Sequence, residues 1–361
     1  MKIVTVVGAR PQFIKAAALS RVIRKEHQEI LVHTGQHYDS NMSDVFFEEM
    51  QIPRPDYQLN ISGGSHGAMT GKMLIALEEV FVKEMPDAVL VFGDTNSTVA
   101  AAMAAVKLHI PIIHVEAGNR LGTLDNPEEV NRIVTDHVST LLLCATQEAK
   151  DNLGKENLGE KSYVVGNIMF DSFKFFAEEQ KEKQQFSLEE QGIVLKSKQF
   201  YYMTCHREEN THSDEALFQI MSAMNSLDYI TVYPVHPRNR ERAKRICAEN
   251  NLHNIVLLPP VKYSESVWLT LHSCKIVTDS GGLQCEAFFA QTQCVTIFNY
   301  AAWPETLVEN RNQLAKPIKT DILEKLSKNQ RVDDTYCPFG DGHTAEKIVT
   351  VINQMIGEKQ Q

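Results

Sequence analysis

Cysteine is sparse and unpatterned in this chain of 361 residues. The seven cysteines, Cys144, Cys205, Cys247, Cys274, Cys285, Cys294 and Cys337, form no CxxC pair, and their number is odd. Such spacing argues against a disulfide framework or a cysteine zinc site and predicts a protein of a reducing, cytoplasmic compartment. Metal-ligand spacing is also missing among the 13 histidines: no HExxH occurs, so no metal is expected. No apolar run reaches the ~18 residues of a membrane span. The N-terminal run Ile3–Val7 falls short of the about 7–15 residues of a secretory h-region. Positive charge is in deficit, because 36 Lys and Arg stand against 46 Asp and Glu for a net charge of −10. A chain of that sign lacks the footprint for nucleic acid or an anionic membrane surface. A local pocket can still oppose the global sign and hold a small anion. At 43% apolar and 23% charged the composition is ordinary for a globular protein, which excludes wholesale disorder and collagen.

What is present is an alternation of short β-branched runs with longer helical patterns. Ile3–Val7, Ile30–His33, Ala88–Phe92, Pro111–Val115, Thr140–Cys144 and Tyr163–Val165 read as strands; Gln12–Lys25 and Asn96–Leu108 read as helices between them. After Gly166 the alternation restarts with Phe200–Thr204, Tyr229–Pro234, Asn254–Leu258, Lys275–Thr278 and Cys294–Phe298. Apolar strands separated by helices imply parallel sheets buried on both faces. The stretch Lys174–Gln191, mostly Glu, Lys and Gln, reads as a solvated helix and linker. The expectation is an α/β chain of two doubly wound, Rossmann-like domains facing across a cleft, one formed by 1–168 plus 346–361 and the other by 169–345. Ligands in such folds bind outside the carboxyl ends of the strands, and the cleft is the default site.

Polar residues gather at those strand ends. In Gly8-Ala9-Arg10-Pro11-Gln12-Phe13-Ile14-Lys15, Gly8 permits a tight turn and Pro11 suits a first helical position. Arg10 and Lys15 then either flank an anion at the helix N-terminus or are simply solvent-exposed. Asp94 and Glu116 follow consecutive strands, a placement suited to paired acid/base groups. Asp94 or Thr95 is equally a helix cap, and Glu128 and Glu129 are equally first-turn residues favoured by the helix dipole. The pair His206-Arg207 can supply a proton donor and a phosphate clamp, and His236 ends the next strand similarly. In Asp279-Ser280-Gly281-Gly282, two glycines at a helix start favour close approach of a diphosphate to backbone N–H groups. Glu286, about one helical turn on, is placed to meet ribose hydroxyls.

Together these motifs resemble the non-hydrolysing UDP-N-acetylglucosamine 2-epimerase family, of GT-B architecture. The carriers are GARPQFIK at 8–15, TGQH at 34–37, GDTNST at 93–98, HVEAGNR at 114–120, PEEVNR at 127–132, HREEN at 206–210, YPVHP at 233–237, DSGGLQCEA at 279–287 and PFGDG at 338–342. The resemblance implies a UDP-sugar substrate, epimerisation at C2 through elimination and re-addition of UDP, no cofactor and a homodimer. By motif position it implies Asp94, Glu116, Glu128 and His206 as the catalytic set. It implies Arg10, Lys15, Arg132, Arg207, His236, Ser280, Gly281, Gly282 and Glu286 as contacts to nucleotide or sugar. Asn119 and Trp303 depart from the Leu and Arg usual in the family, and Asp39 and Ser65 depart from its pattern for a second, activating UDP-GlcNAc site. GARPQFIKA, HTGQHYD and GGSHGAMTGKML look more like the branch acting on UDP-2,3-diacetamido-2,3-dideoxyglucuronate. A GT-B glycosyltransferase shares the nucleotide platform, but three carboxylates exceed what glycosyl transfer needs.

Overall fold

A computed structural model describes residues 1–36 and 49–357. Two compact units emerge: Met1–Ser172 with Cys337–Gln361, and Phe173–Tyr336.

The first unit holds seven parallel strands, β1 (Lys2–Val7), β2 (Gln28–His33), β3 (Tyr57–Gln58), β4 (Ala88–Phe92), β5 (Ile112–Val115), β6 (Leu141–Cys144) and β7 (Ser162–Val164). Their order is β3-β2-β1-β4-β5-β6-β7. Every residue of β4, β5 and β6 is buried, as the continuous apolar runs require of a sheet covered on both faces. The Ala-rich Asn96–Lys107 helix packs on this sheet with its small side chains inward. The C-terminal helix Thr344–Met355 returns here, with Asn353 donating to Glu26 at 2.8 Å. The return begins at Cys337, before the expected 346. Asn167 N–H donates to the Phe339 carbonyl at 2.9 Å, Ala345 N–H to Asp171 at 2.8 Å, and Phe339 is buried. Gly166, at φ +100°, lies so close to Phe339 and Thr344 that a side chain would not fit.

The second unit contains an antiparallel hairpin, β8 (Gln185–Leu188) and β9 (Ile193–Lys196), and six parallel strands: β10 (Tyr201–Thr204), β11 (Thr231–Pro234), β12 (Ile255–Leu258), β13 (Ile276–Thr278), β14 (Cys294–Ile297) and β15 (Asn312–Ala315). The sheet order is β12-β11-β10-β13-β14-β15. The expected linker is therefore folded structure. Phe173 and Phe176 are buried on the Ile168–Gln180 helix. Phe186 of the hairpin stacks on Trp268 at 5.2 Å, and Trp268 Nε1 donates to the Lys183 carbonyl at 2.7 Å. The Glu- and Lys-rich composition hid three inward positions, Phe186, Leu188 and Leu195.

Both sheets reverse strand order once, between β1 and β4 in the first unit and between β10 and β13 in the second. At such a reversal neighbouring loops leave in opposite directions and open a crevice at the carboxyl ends of the strands. GARPQFIK and GDTNST flank the first reversal; HREEN and DSGGLQCEA flank the second.

Candidate functional site

In the first unit, Gly8 ends β1 against the Thr34 and Ser97 hydroxyls, which share a hydrogen bond of 2.8 Å. The requirement for glycine here is close approach, not a left-handed turn. Gln12, 2% exposed, accepts from Gly8 N–H at 2.8 Å and Ala9 N–H at 3.1 Å. Its Nε2 donates to the Phe92 carbonyl at 2.8 Å, tying the β1 loop to the end of β4. Gln12 thus occupies donors that the sequence assigned to an anion. Arg10 is exposed at the helix start, whereas Lys15 is buried at 5% exposure and ion-paired with Glu116.

Glu116 sits just past β5 at φ +70°, a left-handed conformation unfavourable for a residue with a Cβ. Two hydrogen bonds onto the Leu143 carbonyl, from Glu116 N–H at 2.9 Å and Ala117 N–H at 3.1 Å, hold it there. Asp94, just past β4, pairs with Arg132 at 2.6 Å. Arg132 also bonds Glu129 at 2.8 Å, and Asn131 Nδ2 donates to the Asp94 carbonyl at 2.9 Å. Burial alone would lower the Arg132 guanidinium, but Asp94 and Glu129 push it above its ordinary value. Two candidate carboxylates on adjacent strand ends are therefore each engaged by a buried or half-buried cation.

Glu128 is exposed in the first turn of the Pro127–Val138 helix, its N–H donating to Asn126 Oδ1 at 2.9 Å. Among the described residues, no hydrogen bond or ion pair joins its side chain to the Asp94–Arg132–Glu129 cluster. Glu129 is the buried member of the pair, at 1% exposure, and accepts from Leu121 N–H at 2.7 Å and Gly122 N–H at 3.1 Å. Sequence reasoning passed over it because both glutamates fit a first helical turn.

In the second unit, Asp279 closes β13 and is fully buried. Its carboxylate accepts from His206 N–H at 2.9 Å, Arg207 N–H at 2.8 Å and Asn210 Nδ2 at 3.3 Å, and faces His206 Nδ1 at 3.1 Å. Burial alone would raise Asp279; the His206 bond and the two backbone N–H groups hold it below the usual carboxylate range. Arg207 lies over the Phe298 ring at 3.8 Å and donates to Tyr300 Oη at 3.2 Å. Arg238 donates to the His206 carbonyl at 2.7 Å. His236 is exposed, and burial of its inner part, then Arg238 and His206, lower its imidazole.

Ser280 caps the Gly281–Phe289 helix, its Oγ accepting from Leu283 N–H at 3.3 Å. Gly281 and Gly282 form the first turn, and Glu286 is buried in the same helix. The second reversal therefore brings His206, Arg207, Ser280 and the glycines onto adjoining strand ends, organised by one carboxylate, Asp279.

A family model described as UDP-N-acetylglucosamine 2-epimerase matches residues 21–353. The chain belongs to the UDP-N-acetylglucosamine 2-epimerase family. It is 44% identical to a UDP-N-acetylglucosamine 2-epimerase homolog of Methanococcus maripaludis over 98% of this chain and all of that one. It is 43% identical to the UDP-2,3-diacetamido-2,3-dideoxy-D-glucuronate 2-epimerase of Pseudomonas aeruginosa, over 98% of this chain and 100% of the relative. The crystal structure of Methanocaldococcus jannaschii UDP-GlcNAc 2-epimerase in complex with UDP-GlcNAc and UDP superposes with a TM-score of 0.85 at 34% identity, covering 98% of this chain and 100% of that one. The architecture is GT-B.

Two of the chain's departures from its family pattern have a structural setting. Trp303 is buried, and its carbonyl accepts from Thr306 Oγ1 at 2.8 Å and Gln284 Nε2 at 3.3 Å. Ser65 is the N-cap of the His66–Glu84 helix, accepting from Ala68 N–H at 3.4 Å. Asp39 lies outside the described residues, as does His37 of the TGQH motif. Among the described residues, no helix is long and apolar enough to cross a membrane.

Proposed function

We propose that this protein is a non-hydrolysing 2-epimerase that interconverts UDP-GlcNAc and UDP-ManNAc, supplying precursors of surface polysaccharide. The observation that carries this reading is the pair of carboxylates, Asp94 and Glu116, on adjacent strand ends, each beside a cation. Inversion at C2 needs one group to take the proton from one face and another to deliver a proton to the other. The C2–H bond is weakly acidic, so its electron pair forms the C1=C2 bond as UDP leaves C1 anti to the departing proton. A 2-acetamidoglucal and UDP result. Re-addition of the UDP oxygen to C1, with protonation of C2 from the opposite face, gives the epimer. Every step is redox-neutral.

Asp94, Glu116 and Glu128 are the acid/base candidates, with His206 beside the diphosphate. Arg10, Arg207, Ser280 and the Gly281–Gly282 N–H groups would meet the charge that grows on the leaving β-phosphate. Lys15 and Arg132 hold the carboxylates as well as facing sugar or phosphate, and His236 and Glu286 contact the nucleotide. The working protein is a homodimer.

A second reading keeps this chemistry and changes the substrate to UDP-2,3-diacetamido-2,3-dideoxyglucuronate. It is favoured by the 43% identity to the Pseudomonas aeruginosa enzyme of that name, against 39% to the Methanococcus maripaludis UDP-N-acetylglucosamine 2-epimerase. The test is NMR of purified protein in D₂O with UDP-GlcNAc, its uronate and the diacetamido uronate in parallel. Deuterium at C2 of recovered UDP-GlcNAc is the expected outcome. Exchange confined to the diacetamido uronate establishes the second reading. No C2 exchange with any of the three, or sugar transfer to an acceptor without epimerisation, overturns both.

A further inference from the structure

Strand β5 reads Ile-Ile-His-Val, and the histidine in it, His114, is fully buried. A buried imidazole among apolar neighbours requires partners, and His114 has two. Its Nδ1 meets Asp136 Oδ1 at 2.7 Å and its Nε2 meets the Gly93 carbonyl at 2.7 Å. The other oxygen of Asp136 accepts from Arg120 at 2.7 Å and from Gly118 N–H at 3.2 Å. Gly93 immediately precedes Asp94; Gly118 lies two residues after Glu116. One carboxylate on the Pro127–Val138 helix thus reaches both strand ends, through His114 to the end of β4 and directly to the loop after β5.

We propose that His114 and Asp136 are positioning residues that fix the separation of Asp94 and Glu116, with the His114 ring donating from both nitrogens. This role rests on the 2-epimerase reading of the same site. The donor count follows from the partners. A backbone carbonyl can only accept, and an ionised carboxylate can only accept, so both ring nitrogens carry hydrogen. Asp136 is ionised in this setting: burial would raise it, but the His114 and Arg120 bonds and charges bring it below its ordinary value. Arg120 is held in turn by Glu156 at 2.7 Å. The remaining titratable neighbours do not compete. Burial first, and Asp136 second, push the Cys144 thiol up to about 12, and Lys161 caps the Ser139 carbonyl at 2.6 Å.

Gly93 sits at φ +60°, and without a Cβ nothing in its own side chain limits rotation there, so its carbonyl depends on an outside partner to fix its direction. Release of its carbonyl frees the Gly93–Asp94 peptide to rotate. A misplacement of about 1 Å in an acid/base group costs on the order of 100-fold in turnover.

The experiment compares two variants and reads the wild-type ring directly. In His114→Gln the amide nitrogen reaches about as far as Nε2 and keeps the bond to Gly93. In His114→Asn it reaches only about as far as Nδ1 and keeps the bond to Asp136 alone. Expected are a kcat loss within about tenfold for H114Q and on the order of 100-fold for H114N, with KM within about threefold for both. A folded H114N with wild-type kcat, or the reverse ranking, overturns the proposal. Where neither variant folds, ¹⁵N–¹H correlation NMR of the His114 ring in the intact wild type decides: two N–H signals at neutral pH support the double donor, one overturns it. If the wild type exchanges C2 hydrogen in none of the sugar nucleotides, the functional reading fails, while the NMR result still tests the ring.

Discussion

Replacing Asp279 separates loop architecture from histidine orientation. Four donors converge on this fully buried carboxylate: the N–H groups of His206 and Arg207, Asn210 Nδ2 and His206 Nδ1. In Asp279→Ala the two backbone N–H groups and His206 Nδ1 lose this acceptor, while Asn210 Nδ2 keeps its bond to the Ile297 carbonyl at 3.2 Å. Each orphaned buried donor costs about 1–3 kcal/mol, and breaking a buried charged contact costs about 3–5 kcal/mol in total, so a loss near 4 kcal/mol is expected. Asp279→Asn behaves differently. The amide oxygen takes the Oδ2 position, where Arg207 N–H, His206 N–H and Asn210 meet, and the amide nitrogen then faces His206 Nδ1. The loop persists at a cost of about 1–2 kcal/mol, the loss of charge assistance. The imidazole, however, must now accept at Nδ1, which moves its proton to Nε2. An enforced wrong tautomer is expected to cost 10²–10⁴ in kcat if His206 handles a proton at the diphosphate. Urea unfolding followed by circular dichroism measures the first quantity, and C2-exchange rates measure the second. The pH dependence gives an internal check. Asp279 is held below the usual carboxylate range in the folded state, so its stabilisation is complete above about pH 4 and fades as pH falls through its lower folded value. The midpoint gap between wild type and Asp279→Asn should therefore narrow in acid. An Asp279→Ala protein as stable as wild type at pH 7 refutes the reasoning, as does Asp279→Asn with unchanged turnover.

Two further perturbations probe the first unit. Gly8→Ala places a methyl group against the Ser97 and Thr34 hydroxyls and should destabilise the protein by about 1–3 kcal/mol, seen as a lower urea midpoint at unchanged slope; an unchanged midpoint would show that the hydroxyls yield freely. Burial pushes the His33 imidazole down to about 4, against about 6.5 in an unfolded chain. The unfolded state then binds the extra proton, so stability falls as pH drops from about 6.5 towards 4, with a slope of up to about 1.4 kcal/mol per pH unit. His33→Gln should flatten that segment of the pH–stability curve, and an equally steep curve in the variant counts against the assignment.

The fold was legible where burial is two-sided. Strands such as Ala88–Phe92 and Leu141–Cys144 are apolar throughout because helices cover both faces of the sheet, and that pattern survives in one dimension. Strand β15, Asn-Gln-Leu-Ala, escaped because its polar residues are buried and satisfied: Thr296 donates to Asn312 at 2.8 Å, and Gln313 donates to the Lys325 carbonyl at 2.9 Å. The hairpin was lost in a charged composition, and β3 spans two residues. In the site, carboxylates at strand ends stood out by position alone. Glu129 and Asp136 did not, because a carboxylate buried within a helix is written like one that faces solvent. A signal for Asp136 was nonetheless present in His114, a titratable residue inside an apolar strand.

The charge arrangement also changes how the first βα junction is understood. By sequence, Arg10 and Lys15 at a helix N-terminus suggest an anion clamp. In the folded unit, Gln12 takes the Gly8 and Ala9 N–H groups, and Lys15 is spent on Glu116. Lys15 and Arg132 face three carboxylates, Glu116, Asp94 and Glu129, so this cluster carries no surplus positive charge. That balance suits groups that exchange protons with a neutral carbon centre better than groups that hold a diphosphate. In the second unit the balance is reversed. Asp279 is consumed by backbone N–H groups and His206, while Arg207 rests on the Phe298 ring with Tyr300 as its hydrogen-bond partner and, among the described residues, no carboxylate ion-paired with it. Under the proposed function, an arginine so oriented, next to a glycine-opened helix N-terminus, would be the better counter-charge for a leaving diphosphate. An acidic chain would thus serve the proposed anionic substrate by pairing Lys15 and Arg132 with carboxylates in one unit while Arg207 keeps an aromatic and a hydroxyl partner in the other.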